Sequence, residues 1–400
     1  MKKLHISLLF LPFILISSFA IGQSDYRKAH YVISHSKNNF FKGSEANIAK
    51  ANSETESLSL ALNKNQDVPL KVYTLTNLKA LRISSMYNTS LPRVTNLSKI
   101  SSLDKLQHLS LKKLQVARFP DEIIISNKLK TLQISTRKVN LDYIPDLSKT
   151  NIHYLSISLF DDAKPLPLTK NFKTIFETRT IEELDLFEAK FKDEDLIGLK
   201  NLENLKYLNI SRSNLNSINF IGHNKQLKEL KIVESGVTEI GSEIGALNNL
   251  TYLSLSNNDI QKIAPELYDL TNLVTLNLSY SKNLESVSND IKKLQNLQYL
   301  NLRGSKITEI PAGVFELKNL IELDLSNTNI TSIPEDILKL EKLEVLRISS
   351  KEPQALIIDA KLLSQLKNLK QVQVASTSKV EKDIKKQAKK LKKLRPEISI

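Results

Sequence analysis

A pattern of apolar residues that recurs about every 23 residues constrains this chain more than any other feature of its sequence. Stretches such as LTYLSLSNNDIQKI, LQYLNLRGSKITEIP and LIELDLSNTNITSIP share the template L-x-x-L-x-L-x-x-N/S/T-x-I/L. A period of this length indicates stacked units that bury one continuous core between them. The first apolar residue of each L-x-L, here called the marker residue, occurs at Leu58, Leu81, Leu109, Leu132, Leu155, Leu184, Leu208, Leu230, Leu253, Leu276, Leu300, Leu323, Leu346 and Val372.

These fourteen copies resemble the leucine-rich repeat family over about 320 residues, and the motif is specific because it recurs in register. The alternation within L-x-x-L-x-L is typical of a β-strand. The segment Ile333–Leu340 opens with Pro, continues with acids and has a late Lys, as short helical turns do. The resemblance implies an α/β fold. The implied fold is a leucine-rich repeat solenoid curved like a horseshoe, with a parallel sheet on its concave face and short helices or turns on its convex face.

In leucine-rich repeats a polar residue, commonly Asn, follows each strand and hydrogen-bonds backbone groups of the adjacent turn. We call it the ladder residue. At this position the repeats of the present chain fall into two groups. The repeats that begin at 81 to 184 hold Met86, Leu114, Arg137, Phe160 and Ala189 in this slot, so we expect them to be less regular than those from 208 to 346. Three copies, at 81–108, 155–183 and 346–371, are longer than the others because they carry insertions. These insertions either contribute to binding or are neutral variation in repeat length. The resemblance places ladder residues at Asn63, Ser213, Ser235, Asn258, Ser281, Ser305 and Thr328.

The first 22 residues predict a signal peptide. Lys2 and Lys3 precede an apolar run of 14 residues, and Gly22 then stands before Gln23 at a small-residue cleavage site. The rival interpretation is an uncleaved anchor, but the run is shorter than the roughly 20 residues that a spanning helix needs. We therefore expect an exported chain in the periplasm, at the cell surface or in the medium, with no membrane span after cleavage.

The remaining organisation follows from the repeat. Residues 23–56 are an N-terminal flanking or cap segment, 57–375 the leucine-rich repeat domain, and 376–400 a basic amphipathic cap helix with a final strand at Ile398 and Ile400. The formal net charge is +14, and residues 376–395 hold nine Lys or Arg against Glu381 and Asp383. This helix is either a cap with a solvated outer face or a site for an anionic partner. The rest is only mildly basic, so we expect no nucleic-acid binding.

The sequence contains no pattern that indicates catalysis. It has no Cys, and its six His share no metal-ligand spacing. The acidic clusters are Asp161-Asp162 and Asp193-Glu194-Asp195, and the second suits the start of a helix better than a metal site. We expect a protein that is not an enzyme and holds no metal or cofactor.

The side chains that alternate with the core Leu residues are the predicted binding site. Positions −1, +1 and +3 from each marker residue place Tyr and Phe among charged residues, as protein interfaces do. The alternative is a merely solvated sheet rich in good strand formers. The predicted function is binding of a protein ligand by a monomer; the alternative is a carbohydrate-binding or cell-envelope-binding adhesin. The candidate residues are Tyr154, Glu183, Asp185, Phe187, Tyr207, Glu229, Lys231, Tyr252, Tyr299, Arg303, Glu322 and Asp324.

Overall fold

All fourteen marker residues lie on β-strands in the computed structural model. The structure describes residues 40–42, 48, 50–64, 66–86, 91–116, 119–125, 128–136, 144–159, 173–188, 190–350, 357–376 and 381–400. The strands are β1 (Phe40–Lys42), β2 (Ser57–Leu62), β3 (Ala80–Ser85), β4 (His108–Leu114), β5 (Thr131–Thr136), β6 (Tyr154–Leu159), β7 (Glu183–Phe187), β8 (Tyr207–Ser211), β9 (Glu229–Val233), β10 (Glu239–Ile240), β11 (Tyr252–Ser254), β12 (Lys262–Ile263), β13 (Thr275–Asn277), β14 (Tyr299–Asn301), β15 (Glu322–Asp324), β16 (Val345–Ser350) and β17 (Gln371–Ser376).

The described residues form two units. The first holds the described residues up to Thr136 together with Thr150–Leu155, and the second holds Ile144–Lys149 and the residues from Ser156 onward. In the first unit, β1 to β5 lie side by side in sequence order and pair in parallel. In the second unit, β7, β8, β9, β11 and β13 to β17 do the same, while β10 and β12 form a separate small sheet.

Within each unit the marker residues stand directly opposite one another across neighbouring strands. Leu58 pairs with Leu81, and Leu253 pairs with both Leu230 and Leu276. Each marker residue is at most 1% exposed. Burial of a Leu side chain contributes about 2 kcal/mol, so this column of aligned residues supplies much of the stability of each unit.

Short helices connect one strand to the next. Most are 3-10 helices, because a period near 23 residues leaves room for only one or two turns between strands. The helical turn predicted at Ile333–Leu340 is the 3-10 helix Glu335–Lys339, in which Ile337 is fully buried. The 3-10 helices are Leu70–Thr74, Leu97–Ser102, Thr174–Glu177, Asp193–Asn201, Asn219–Ile221, Ser242–Ala246, Pro265–Asp269, Asn289–Lys293, Ala312–Glu316 and Glu335–Lys339, and the α-helices are α1 (Glu122–Ile125), α2 (Ala360–Leu363) and α3 (Glu381–Leu394).

The expected difference in regularity between the repeats is present. Strands β2 to β6 have six or seven residues, whereas β11, β13, β14 and β15 have three. In β4 the pairing with β5 shifts between Lys112 and Leu114, and Lys113 adopts a positive φ of 54°. Leu114 occupies the ladder slot but is fully buried, so it fills the core instead of bonding the adjacent turn.

Asn258 fills the ladder slot as predicted. Its amide nitrogen donates to the carbonyls of Ile232 (2.7 Å) and Leu255 (2.9 Å), and its Oδ1 accepts from the backbone of Ser235 (3.0 Å) and Val237 (3.2 Å). Shorter hydroxyl residues make fewer of these bonds, as Ser305 does with the carbonyl of Leu302 at 2.7 Å.

The prediction for Asn63 is wrong. Its side chain is exposed, and its backbone N–H donates to Oε1 of Gln66 at 3.1 Å. In this irregular repeat the strand runs on to Leu62, so Asn63 begins the following turn on the surface.

The predicted C-terminal cap segment contains helix α3 (Glu381–Leu394), but one side chain of its expected apolar face lies at the surface. Leu391 is 1% exposed and Ile398 is fully buried, whereas Leu394 is 48% exposed. Arg395 anchors this side of the cap instead, since its guanidinium donates to the carbonyls of Ser364, Leu366 and Lys367 at 3.1 to 3.2 Å. The final strand predicted at Ile398 and Ile400 is not formed. Ser399 instead makes a single parallel bridge to Gln371 of β17.

Several predictions lie outside the described residues. They are the signal peptide with its cleavage site at Gly22 and Gln23, most of the N-terminal segment 23–56 up to residue 39, the acidic pair Asp161-Asp162 and the insertion that contains Pro165 and Pro167.

Candidate binding face

The strand face comprises the side chains at positions −1, +1 and +3 from each marker residue. They alternate with the buried Leu residues and therefore point away from the core. In the second unit this face runs from β7 to β17. The twelve candidate residues are all found on strands or directly after them, but the structure gives them two different environments.

Half of the candidate residues are far less accessible than predicted. Neighbouring strands lie only about 4.8 Å apart, so adjacent side chains in one column shield each other from solvent. Six are half-buried: Phe187, Tyr207, Lys231, Tyr299, Arg303 and Glu322. The other six are buried, with Glu183 at 0%, Asp324 at 4%, Tyr154 at 5%, Tyr252 at 7%, and Asp185 and Glu229 at 8% exposure.

Asp324 has a structural role that explains its burial. Strand β15 ends at this residue, and Oδ1 of Asp324 accepts the backbone N–H of Ser326 at 2.9 Å. Asn277 and Asn301 do the same for the N–H groups of Ser279 and Arg303, each at 3.0 Å. The Asn and Asp residues at position +1 therefore end the short strands by satisfying a backbone donor, which is why these residue types recur there.

Tyr252 is covered by its neighbour. Nζ of Lys231 lies 4.7 Å from the centre of the Tyr252 ring and 3.5 Å from a carboxylate oxygen of Glu229. Burial raises the pKa of Tyr252 above its ordinary value, and the nearby Glu229 adds to the shift. This group is a packed cluster, so Tyr252 contributes to the sheet and not to an open surface.

An accessible patch lies further along, on β14 to β17. Tyr299 stands opposite Glu322, and Glu322 stands opposite Val345. Nη1 of Arg347 is paired with Glu322, and its Nε donates to Oε1 of Gln373 at 3.1 Å. Burial raises the pKa of Glu322, and Arg347 opposes that shift. The patch therefore combines an aromatic ring with an oriented acid–base pair.

The strand face of the first unit is basic. Arg82, His108 and Lys112 lie on it and are half-buried. Burial, together with the nearby positive charges of Arg82 and Lys113, lowers the pKa of Lys112 to about 8. His108 has a lowered pKa as well, mainly because of burial, and its Nδ1 lies 3.1 Å from Oγ1 of Thr131.

Sequence reasoning missed a column of left-handed residues along the rim of the strand face. The residue at position +4 has a φ between 54° and 74° in eight repeats. Its N–H donates to the carbonyl at position +3 of the next repeat, as from Asn257 to Ser279 at 2.8 Å. The recurrence of Asn and Gly at this position was the available signal. The rim residues are Lys113, Glu188, Arg212, Glu234, Asn257, Tyr280, Gly304 and Asn327.

Arg212 links this rim across three repeats. Its guanidinium pairs with Glu188 on one side and lies 2.9 Å from Glu234 on the other. The hydrogen bond to Glu234, followed by that to Glu188, raises the pKa of Arg212. The charges of the rim are therefore largely matched within the molecule.

The described residues contain no cluster of side chains suited to a metal ion. Among them, no three His, Asp or Glu side chains come together in a way that would hold a metal ion. Asp193 begins the 3-10 helix Asp193–Asn201 and accepts the backbone N–H groups of Asn216 (2.9 Å) and Ser217 (3.1 Å), so this acidic cluster connects two repeats. In the part of the chain that the structure describes, no helix combines the length and apolar composition of a bilayer span.

Comparison with known proteins agrees with this architecture. A family model for a leucine-rich repeat region matches residues 276–397, and a model for leucine-rich repeats in two copies matches residues 248–293. A solved leucine-rich repeat protein of Leptospira interrogans superposes with a TM-score of 0.67 at 26% identity, covering 95% of this chain and 100% of that one. The chain folds as a leucine-rich repeat protein. An internalin of Listeria monocytogenes shares the leucine-rich repeat fold, with a TM-score of 0.51 at 18% identity over 80% of this chain and 82% of the internalin.

Curated relatives match only through part of their length. Adenylate cyclase of Schizosaccharomyces pombe is 28% identical over 250 residues, which are 58% of this chain and 14% of the cyclase. A volume-regulated anion channel subunit of Rattus norvegicus is 27% identical over 210 residues, which are 50% of this chain and 25% of the subunit. The leucine-rich repeat chain thus spans at most a quarter of these relatives.

Proposed function

We propose that this chain is an exported, non-catalytic leucine-rich repeat protein that binds a protein ligand on the strand face of its second unit. The observation that carries the proposal is the accessible patch on β14 to β17, where Tyr299 lies beside the paired Glu322 and Arg347. Aromatic and Arg side chains are the residues that most often dominate protein interfaces. Tyr207 extends the same face four strands away, roughly 19 Å from Tyr299 at the usual strand spacing.

The rigidity of the face supports a role in binding. Its backbone is fixed by parallel pairing on both sides, and position +1 side chains hold the strand ends. Side chains that are already ordered lose little conformational entropy when a partner binds. A face that extends over many neighbouring strands also suits a macromolecule better than a small molecule, which requires an enclosed pocket.

The N-terminal sequence supports export, because a positive start, a short apolar run and a small-residue site form the three-part pattern of a secretory leader. N-terminal sequencing of the protein recovered from its native cell is expected to give Gln23 as the first residue. Retention of Met1 would contradict export by this route.

A carbohydrate or envelope component is the second candidate ligand. The half-buried rings of Tyr207 and Tyr299 would stack on sugar rings, and Glu322 would accept bonds from hydroxyl groups. Two assays on the same immobilised protein separate the candidates: capture from an envelope and secreted extract, and binding to an array of glycans. We expect a captured protein and no glycan signal.

The variant Y207A/Y299A tests whether the strand face carries the capture. We expect it to keep its circular dichroism spectrum and to bind the captured protein at least tenfold more weakly, as the loss of two interface aromatics does. The control is L70A/I197A, which removes exposed apolar side chains of 56% and 53% exposure from 3-10 helices outside the strand face. Equal binding by the two variants would contradict the proposed site.

A further inference from the structure

Helix α3 carries a concentration of positive charge that capping does not require. Residues 384–396 contain six Lys and one Arg and no acidic residue. The two acidic residues of the helix, Glu381 and Asp383, lie in its first turn. The helix is attached to the repeats through Leu391, Arg395 and the following Ile398.

Four of the lysines form one exposed face of the helix. At about 100° per residue, Lys386, Lys389, Lys390 and Lys393 fall within an arc of roughly 100°. The centre of this arc lies about 170° from the side of Leu391 and Arg395, which contacts the protein. All four side chains are exposed. We refer to these four residues as the lysine stripe.

Several lysines of the repeats make ion pairs that the lysine stripe does not make with the described acidic side chains. Lys79, Lys206 and Lys370 each pair with a glutamate of the preceding repeat at 2.6 to 2.7 Å. Among the residues whose side chains the structure describes, no acidic group pairs with a lysine of the stripe. Like charges three and four residues apart destabilise a helix, so a cap that served packing alone would gain nothing from them.

One exposed apolar side chain adjoins the lysine stripe, and a second follows the helix. Leu394 is 48% exposed and lies about 40° around the helix from Lys390. Ile400, after the helix, is 47% exposed. Lysines combined with a neighbouring exposed Leu are typical of helices that lie in the interface of an anionic bilayer. Residues 381–400 contain no aromatic side chain for stacking on bases, which disfavours single-stranded nucleic acid as the ligand.

We propose that the lysine stripe binds the surface of an anionic phospholipid bilayer, with Leu394 entering the headgroup region. This site is separate from the strand face and does not depend on the protein ligand. It would hold the repeats at a membrane surface while leaving the strand face of the second unit to its own partner.

Sedimentation with lipid vesicles tests the proposal on the full chain without its leader. Wild-type protein is expected to bind vesicles of equimolar phosphatidylcholine and phosphatidylglycerol and not vesicles of phosphatidylcholine alone. The variant K386Q/K389Q/K390Q/K393Q is expected to bind on the order of 100-fold more weakly. The matched control K262Q/K292Q/K318Q/K361Q removes the same charge from exposed lysines of the repeats and is expected to bind as wild type.

Two further measurements make the result independent of any one variant. Raising the salt concentration is expected to weaken wild-type binding at least tenfold, because exposed charges are screened. Leu394→Gln is expected to lower binding severalfold while leaving its salt dependence unchanged. Absence of binding to the anionic vesicles, or equal loss in the stripe variant and the control, would overturn the proposal. Binding to duplex DNA or polyglutamate without binding to vesicles would overturn the assignment to lipid.

Discussion

Asn63 and Asn258 occupy the same position in the repeat, yet only one of them holds the chain together. Asn258 is 2% exposed and bonds four backbone groups on two strands and the intervening turn. Asn63 is exposed and bonds no group of a neighbouring repeat among the described residues. Whether an Asn at this position stabilises the fold therefore depends on whether the strand before it ends early enough for the side chain to point into the core.

Replacing Asn258 by Ala is expected to cost roughly 3 kcal/mol of unfolding free energy, because two backbone N–H and two carbonyl groups in the interior lose their partner. Asn63→Ala is the matched control, and its expected effect is within about 0.5 kcal/mol. Urea unfolding followed by circular dichroism measures both. Equal losses would show that the ladder contributes nothing beyond the intrinsic difference between Asn and Ala.

The sequence predicts the direction of each strand-face side chain correctly but not its exposure. Alternation about the marker residues fixes which face a side chain lies on. Burial depends on the neighbours in the adjacent repeats, and Lys231 covering Tyr252 could not be inferred from either residue alone. Asp324 is buried for another reason, because it bonds the backbone of Ser326 in its own repeat, whereas Glu322 two positions before it is half-buried.

At the scale of the elements, the strands were predictable and two hydrogen-bonded columns were not. One is the left-handed rim at position +4. The other is a row of asparagines at position −4, whose amide nitrogens donate to a carbonyl at position −5 of the preceding repeat, as Asn272 does to Asn248 and Asn319 to Gln295 at 2.8 Å. The Asn-Leu dipeptide that precedes seven of the strands was the signal for it, but the repeat template considers only the apolar positions and the ladder residue.

Helix α3 offers a test of the cap within a single element. Leu391→Ser is expected to destabilise the protein by about 2 to 3 kcal/mol, because the buried side chain is lost and a hydroxyl is left in an apolar site. Leu394→Ser, only three residues later, is expected to change stability by less than about 0.5 kcal/mol, since that side chain is 48% exposed.

Thermal unfolding of the two variants in parallel checks this pair. The Leu391 variant is also expected to self-associate, because loosening α3 uncovers the edge of β17, to which Ser399 is bridged. If both substitutions had the same effect, α3 would not be the cap of the repeats.

At the scale of the whole molecule, a repeat specifies the fold while leaving the ligand open. Fourteen copies of one pattern determine strand positions, register and core, because each copy buries the same apolar positions against its neighbours. The proposed binding site consists of residues that the repeat leaves variable. What distinguishes this chain is therefore the set of accessible side chains on the strand face, of which Tyr207 and Tyr299 are the principal aromatic members.

Site-specific photo-crosslinking in the native cell tests the claim that the strand face binds a protein. The photoreactive residue p-benzoylphenylalanine replaces Tyr207 or Tyr299 in turn, and Ile197 or Lys318 as exposed positions outside the strand face. After illumination, we predict that the two strand-face positions give a covalent adduct with one and the same protein, and that Ile197 and Lys318 give none. Adducts formed only from Ile197 or Lys318, with none from the tyrosine positions, would contradict it.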